Sequence, residues 1–128
     1  MEKVFANEQS SKTPFIDFNS ESGIFQLKGK SIPENSVLFY RPLFDWLDSY
    51  IHAPAQTTTL NIQLDYFNTS SAKILADLFK KLESFQNTNK TKVLINWNYN
   101  IEDDDMLEAG EDYKSICKVT FNLQSFTK

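Results

Sequence analysis

Thr59-Leu60-Asn61-Ile62-Gln63-Leu64-Asp65-Tyr66-Phe67-Asn68-Thr69-Ser70-Ser71 is the stretch whose reading decides the fold. Leu60, Ile62, Leu64 and Tyr66 alternate with Thr59, Asn61, Gln63 and Asp65, the pattern of a half-buried strand. Beyond Ser71 the apolar residues are Ile74, Leu75, Leu78, Phe79, Leu82 and Phe85, the stripe of an amphipathic helix. The change of period falls on Asn68, Thr69, Ser70 and Ser71, residue types that cap helices. These four therefore open a helix, where unpaired N–H groups and the positive dipole end meet solvent. A hydroxyl there can cap the helix. It can also carry a phosphate in a place that tolerates negative charge.

Toward the N-terminus, Phe15–Asn19 and Ile24–Lys30 flank the turn cluster Asn19-Ser20-Glu21-Ser22-Gly23, which reads as an antiparallel hairpin. Residues 1–12 are polar and expected to form a flexible tail, with one domain over residues 13–128. Pro33 and the caps Asn35 or Ser36 announce a helix with the apolar stripe Phe39, Leu43, Trp46, Leu47 and Tyr50. Pro42 interrupts it, so a short turn and a fresh start near Arg41 are expected, ending about His52. Toward the C-terminus, Lys92–Tyr99 reads as a strand and Ile101–Lys114 as a weaker helix. That helix has an acidic start at Glu102-Asp103-Asp104-Asp105 and is weakened or ended early by Gly110. Lys118–Gln124 is the last strand.

The resulting order is β-β-α-β-α-β-α-β. Strands that alternate with helices run parallel. Their alternating pattern, in place of solid apolar runs, puts all helices on one face of the sheet. The expected class is a single α/β domain: a mixed sheet with an N-terminal antiparallel hairpin and helices on one face. A doubly wound nucleotide-binding fold is disfavoured.

The 128 residues are 41% hydrophobic and include 11 Phe, enough for a folded core. A net charge of −4 argues against nucleic acid and anionic membranes as partners. No apolar run of membrane-spanning or signal-peptide length is present, and the lone Cys117 suits a reducing cytoplasm, so a cytoplasmic protein is expected. Catalysis finds little support. His52 is the only histidine and falls at a helix end, and 3 Gly leave no Gly-rich phosphate loop. Cys and His lack metal-site spacing, and Glu102–Asp105 lacks the alternation and glycine of a calcium loop. No catalytic residue, cofactor or metal is expected. The junction Asn68–Ser71 remains, with Lys73 expected in the first turn of the helix, where the dipole disfavours a cation and a phosphate on a neighbouring hydroxyl would pair with it. Asp65 and Glu34 as an acid/base pair form the enzyme alternative.

Ser31-Ile32-Pro33-Glu34-Asn35-Ser36, then Asp45-Trp46-Leu47, then Leu64-Asp65-Tyr66-Phe67-Asn68-Thr69-Ser70-Ser71 together resemble the SiaC family of bacterial regulatory phosphoproteins, over residues 13–124. The resemblance implies a STAS-like fold of the anti-sigma-factor-antagonist type, in agreement with the one-sided sheet. It implies a switch without catalysis of its own. Thr69 matches the threonine that a dedicated serine/threonine-type kinase phosphorylates and a PP2C-type phosphatase restores. Ser70 and Ser71 are the alternative acceptors. The unphosphorylated form is implied to bind an effector such as a diguanylate cyclase, whose cyclic-di-GMP output controls biofilm formation. In a parallel one-sided sheet the strand-to-helix loops gather on one edge. Pro33, Glu34, Asn35 and Ser36 are thus expected to adjoin Thr69. With Tyr66, Asn68, Ser70, Ser71 and Lys73 they make the expected partner-binding surface. Rival readings are an anti-sigma-factor antagonist binding a serine kinase, and a small-ligand or nucleotide sensor. Asn68 stands where the usual STAS turn has Asp, and no Gly follows, which argues against direct sigma-factor control.

Overall fold

Nine elements span residues 1–128 in a computed structural model: β1 (Val4–Asn7), β2 (Phe15–Asn19), β3 (Ile24–Ser31), α1 (Ser36–Tyr50), β4 (Thr57–Phe67), α2 (Thr69–Asn87), β5 (Lys92–Asn100), α3 (Asp104–Ile116) and β6 (Thr120–Phe126). The strands form one sheet in the order β1-β2-β3-β4-β5-β6. The first three are antiparallel neighbours, and β3 through β6 run parallel. Each parallel step passes through a helix. Right-handed crossovers that always step the same way put every helix on the same side of the sheet. Leu60, Ile62 and Leu64 of β4 and Val93, Ile95 and Trp97 of β5 are buried under those helices. They join the α2 stripe Ile74, Leu75, Leu78, Phe79, Leu82 and Phe85 in one core.

The other face is polar and satisfies itself in part. Asn61, Asn96 and Asn122 stand opposite one another on β4, β5 and β6. Asn96 Nδ2 donates to Asn61 Oδ1 at 2.8 Å, and Asn122 Nδ2 to Asn96 Oδ1 at 3.1 Å. This amide ladder is what the alternation in β4 and β5 encodes on its second face.

Six local expectations are corrected. The stretch expected to be a flexible tail contains β1, paired with β2 and tied down by the Trp46 indole N–H, which donates to the Glu2 carbonyl at 2.8 Å. α1 is one unbroken helix from Ser36, with Pro42 inside it, not a new start at Arg41. Asn35 caps it, accepting from the Leu38 N–H at 3.0 Å. Pro42 removes one helical bond, a loss of about 3 kcal/mol. Its ring is exposed, and burial of Leu43, Trp46, Leu47 and Tyr50 at about 1.5–3 kcal/mol each outweighs the loss. Tyr40 takes the buried place expected for Phe39.

α3 starts at Asp104 with Asp103 as its cap, so Ile101 and Glu102 belong to the preceding turn. Gly110 does not end α3. A Cβ there would stand 2.6 Å from Trp97 Cδ1, so glycine lets the helix lie directly on the indole. Trp97 Nε1 in turn donates to the Met106 carbonyl at 3.0 Å. Finally, the buried alternation of β4 ends at Leu64. The register shifts opposite Gly29 and Lys30, and Tyr66 is 56% exposed.

Candidate functional site

The ends of β3 and β4 meet at the edge where α1 and α2 begin. The Asn68 N–H donates to the Ser31 carbonyl at 3.1 Å, joining the two junctions. The Asn68 side chain caps α2, accepting from the Ser71 N–H at 2.9 Å and from the Ser70 hydroxyl at 3.1 Å. Behind the cap runs a chain of hydroxyls. Tyr40 Oη is 2.6 Å from Ser31 Oγ, Ser31 is 2.8 Å from Ser71 Oγ, and Ser71 is 3.4 Å from Ser36 Oγ. Ser36 reaches Ser70 at 2.7 Å. Burial pushes the Tyr40 phenol up to about 12, against a smaller opposing effect of the Ser31 hydrogen bond, so Tyr40 stays protonated.

Thr69 is the first residue of α2 and is exposed, and its hydroxyl enters none of these bonds. Ser70 is exposed but bonded on both sides, and Ser71 is buried. Lys73 is exposed one turn beyond Thr69, at the fifth position of α2 and not in its first turn. That spacing puts the two side chains on one face of the helix. Glu34 and Asn35 are exposed at the start of α1, Ser36 is buried in the network, and Pro33 is buried and shapes the loop from beneath. Tyr66 presents its ring to solvent two residues before Asn68.

Other candidates lie elsewhere. His52 is exposed beyond the C-terminal end of α1. Burial pushes the Cys117 thiol up, away from thiolate chemistry. Asp65 lines a cleft of about 760 Å³ together with Glu102, Asp103, Asp104, Asp105 and Lys30. No cluster of His, Cys, Asp and Glu is placed to hold a metal ion. Sequence reasoning missed Ser31 and Tyr40. Their signal was faint: a serine at the end of a strand, and a tyrosine one turn after Ser36.

The fold and this edge define a one-sided mixed α/β module whose paired helix starts present an exposed hydroxyl. The chain belongs to the SiaC family of regulatory phosphoproteins, which matches residues 7–126 and so takes in the end of β1 as well as the expected span. It is 27% identical to an uncharacterized protein of Pseudomonas aeruginosa over 113 residues, 88% of this chain and 89% of that one. SiaC of Pseudomonas aeruginosa is similar in structure, with a TM-score of 0.88 at 25% identity over 98% of this chain and 100% of that chain. A chain in the crystal structure of the diguanylate cyclase SiaD in complex with its activator SiaC, from the same organism, gives 0.88 at 25% identity over 95% and 99%.

Proposed function

We propose that this protein is a non-catalytic switch whose unphosphorylated form binds a diguanylate cyclase, and that phosphorylation of Thr69 releases it. A serine/threonine-type kinase adds the phosphate and a PP2C-type phosphatase removes it, in the cytoplasm. No helix is long and apolar enough to cross a membrane. The observation that carries the reading is the exposure of Thr69 beside two helix starts joined by the 2.7 Å contact of Ser36 and Ser70. Family membership and the SiaC–SiaD complex support the choice of a cyclase as effector.

The mechanism is electrostatic. Phosphate adds about −1.5 to −2 charges. In the free protein the helix N-terminus and Lys73 receive that charge. In a complex the same charge is pressed against a surface matched to a neutral hydroxyl and loses its water, which costs several kcal/mol. The free state is therefore favoured. The nucleotide-sensor reading is weaker, because the carboxylates of the largest cleft repel phosphates. Incubation with the kinase and ATP, followed by mass mapping, is expected to place one phosphate on Thr69. Titration of both forms against the cyclase is expected to show binding by the unmodified form alone. A phosphate elsewhere, or equal binding, overturns the proposal.

A further inference from the structure

Three hydroxyls stand in a row at the head of α2, on Thr69, Ser70 and Ser71. They are alike in chemistry and differ in what holds them. The chain of hydroxyls behind the Asn68 cap can be followed proton by proton, because each hydroxyl has one proton to give. At one end Ser70 donates to Asn68 Oδ1, which also accepts from the Ser71 N–H and is thereby fixed as the amide oxygen. The Ser70 proton is spent there, so Ser36 is the donor in the 2.7 Å contact with Ser70. The Ser36 proton is then spent in turn, so Ser71 is the donor to Ser36. At the other end Tyr40 is buried, and Ser31 is the partner of its hydroxyl. Tyr40 must donate to Ser31, or its proton would be buried unpaired. The Ser31 proton then goes to Ser71. Both ends give the same order: Tyr40 to Ser31 to Ser71 to Ser36 to Ser70 to Asn68.

We infer that this one-way chain selects the phosphate acceptor: it occupies Ser70 and Ser71 and leaves Thr69 as the only hydroxyl of the three open to phosphoryl transfer. Ser36 and Asn68 are the positioning residues of that choice. The inference rests on the Thr69 reading above and adds what makes it exclusive.

Transfer from ATP sets two demands on a hydroxyl. Its O–H bond breaks and the proton passes to a base of the kinase. Its oxygen forms a bond to the γ-phosphorus as the bond from that phosphorus to the departing ADP oxygen breaks. The proton must therefore point at the base, and a lone pair at the phosphorus. Ser70 is exposed, yet its proton points at Asn68 and one lone pair is taken by Ser36. Both bonds must be given up before it can react. Ser71 is 1% exposed, accepts from Ser31 and donates to Ser36, so it is out of reach as well as occupied. Thr69 is exposed and its hydroxyl enters none of these bonds, so it meets both demands as it stands.

The test is incubation with the kinase and ATP, followed by site-resolved mass mapping. The proteins are wild type, Ser36→Ala, Asn68→Ala and Asn68→Asp, and the same three substitutions combined with Thr69→Ala. The ratio of phosphate on Ser70 to phosphate on Thr69 is taken within one chain, so a general loss of stability lowers both and leaves the ratio unmoved. Wild type is expected to carry its phosphate on Thr69. Ser36→Ala and Asn68→Ala are expected to raise the Ser70 to Thr69 ratio at least about fivefold over wild type. Combined with Thr69→Ala, either is expected to create a phosphate on Ser70 that Thr69→Ala alone does not take. Asn68→Asp keeps an oxygen that accepts from Ser70 and caps the helix, so its phosphate is expected to stay on Thr69. If Ser36→Ala and Asn68→Ala leave the ratio at the wild-type value and both combinations stay unmodified, the selection is overturned and the Thr69 reading stands. A shift to Ser70 in Asn68→Asp also overturns it. A wild type modified chiefly at another residue, or at none, overturns both readings. A second measurement needs no variant. Three-bond couplings across the Ser70 Cα–Cβ bond are expected to show one fixed rotamer in the free wild type, and rotamer averaging there sinks the inference.

Discussion

Ser36 Oγ, on the first residue of α1, lies 2.7 Å from Ser70 Oγ, on the second residue of α2. Two helix starts from different crossovers are thereby fixed side by side. Ser70 also donates to the Asn68 cap, so the cap of one helix is held by the start of the other. A charge placed on Thr69 acts next to both dipole ends at once.

Thr69→Ala is expected to bind the cyclase like wild type and to be blind to the kinase. Thr69→Glu should weaken binding by at least about tenfold, equivalent to ~1.4 kcal/mol, in the same titration. Lys73→Ala acts on the pairing with the phosphate. It should lower the stability of the phosphorylated form by about 0.3–0.5 kcal/mol, because the pairing one turn away is lost. Thermal unfolding of both forms checks this.

Ser31→Ala removes the hydroxyl that bonds both Tyr40 and Ser71 in the interior. Leaving a buried hydroxyl without its partner costs about 1–3 kcal/mol, and chemical denaturation should show a loss in that range. Ser70→Ala should cost less, because Ser70 is exposed and water replaces what it gave.

Gly110→Ala gains helix propensity of about 1 kcal/mol but drives a methyl group into Trp97 and Leu123. Overpacking of this kind costs about 1–3 kcal/mol, so a net loss is expected, with a change in the near-ultraviolet dichroism of the indole.

The strand-to-helix switch at Asp65–Ser71 was legible because β4 and α2 each carry a full period of apolar residues. The one-sided sheet followed from the amides of β4 and β5. β1 was not legible. Val4-Phe5-Ala6-Asn7 has four residues of modest apolar content, and its place is held from outside, by β2 and by the sequence-distant Trp46. Pro42 misled because local propensity was weighed without the burial that overrides it. The positions of Thr69, Ser36 and Ser70 on one edge followed from topology. The hydroxyl chain through Ser31 and Tyr40 did not, since spacing says nothing about which hydroxyls meet.

Alkaline pH should unfold the protein through two phenols. Tyr40 and Tyr113 are each raised to about 12, both chiefly by burial, with Asp112 adding to the shift at Tyr113. Unfolded phenols release their protons near pH ~10, so the unfolded state loses protons first. Stability contributed by these groups is complete below that value and falls as pH rises from about 10 toward about 12. The Tyr113 hydroxyl also donates to the Ala72 carbonyl at 2.8 Å and loses that bond on ionising. Phenolate absorbance should show Tyr40 and Tyr113 titrating late and together with unfolding.

Since β1 to β6 lie side by side in the order of synthesis, each strand leaving the ribosome finds its neighbour already made. No strand has to be threaded between two others. The nascent chain can zip from one border to the other, presenting one growing margin at a time. β6, whose Thr120-Phe121-Asn122-Leu123-Gln124-Ser125-Phe126 carries no charge to deter stray pairing, arrives last, when the rest of the sheet already waits for it.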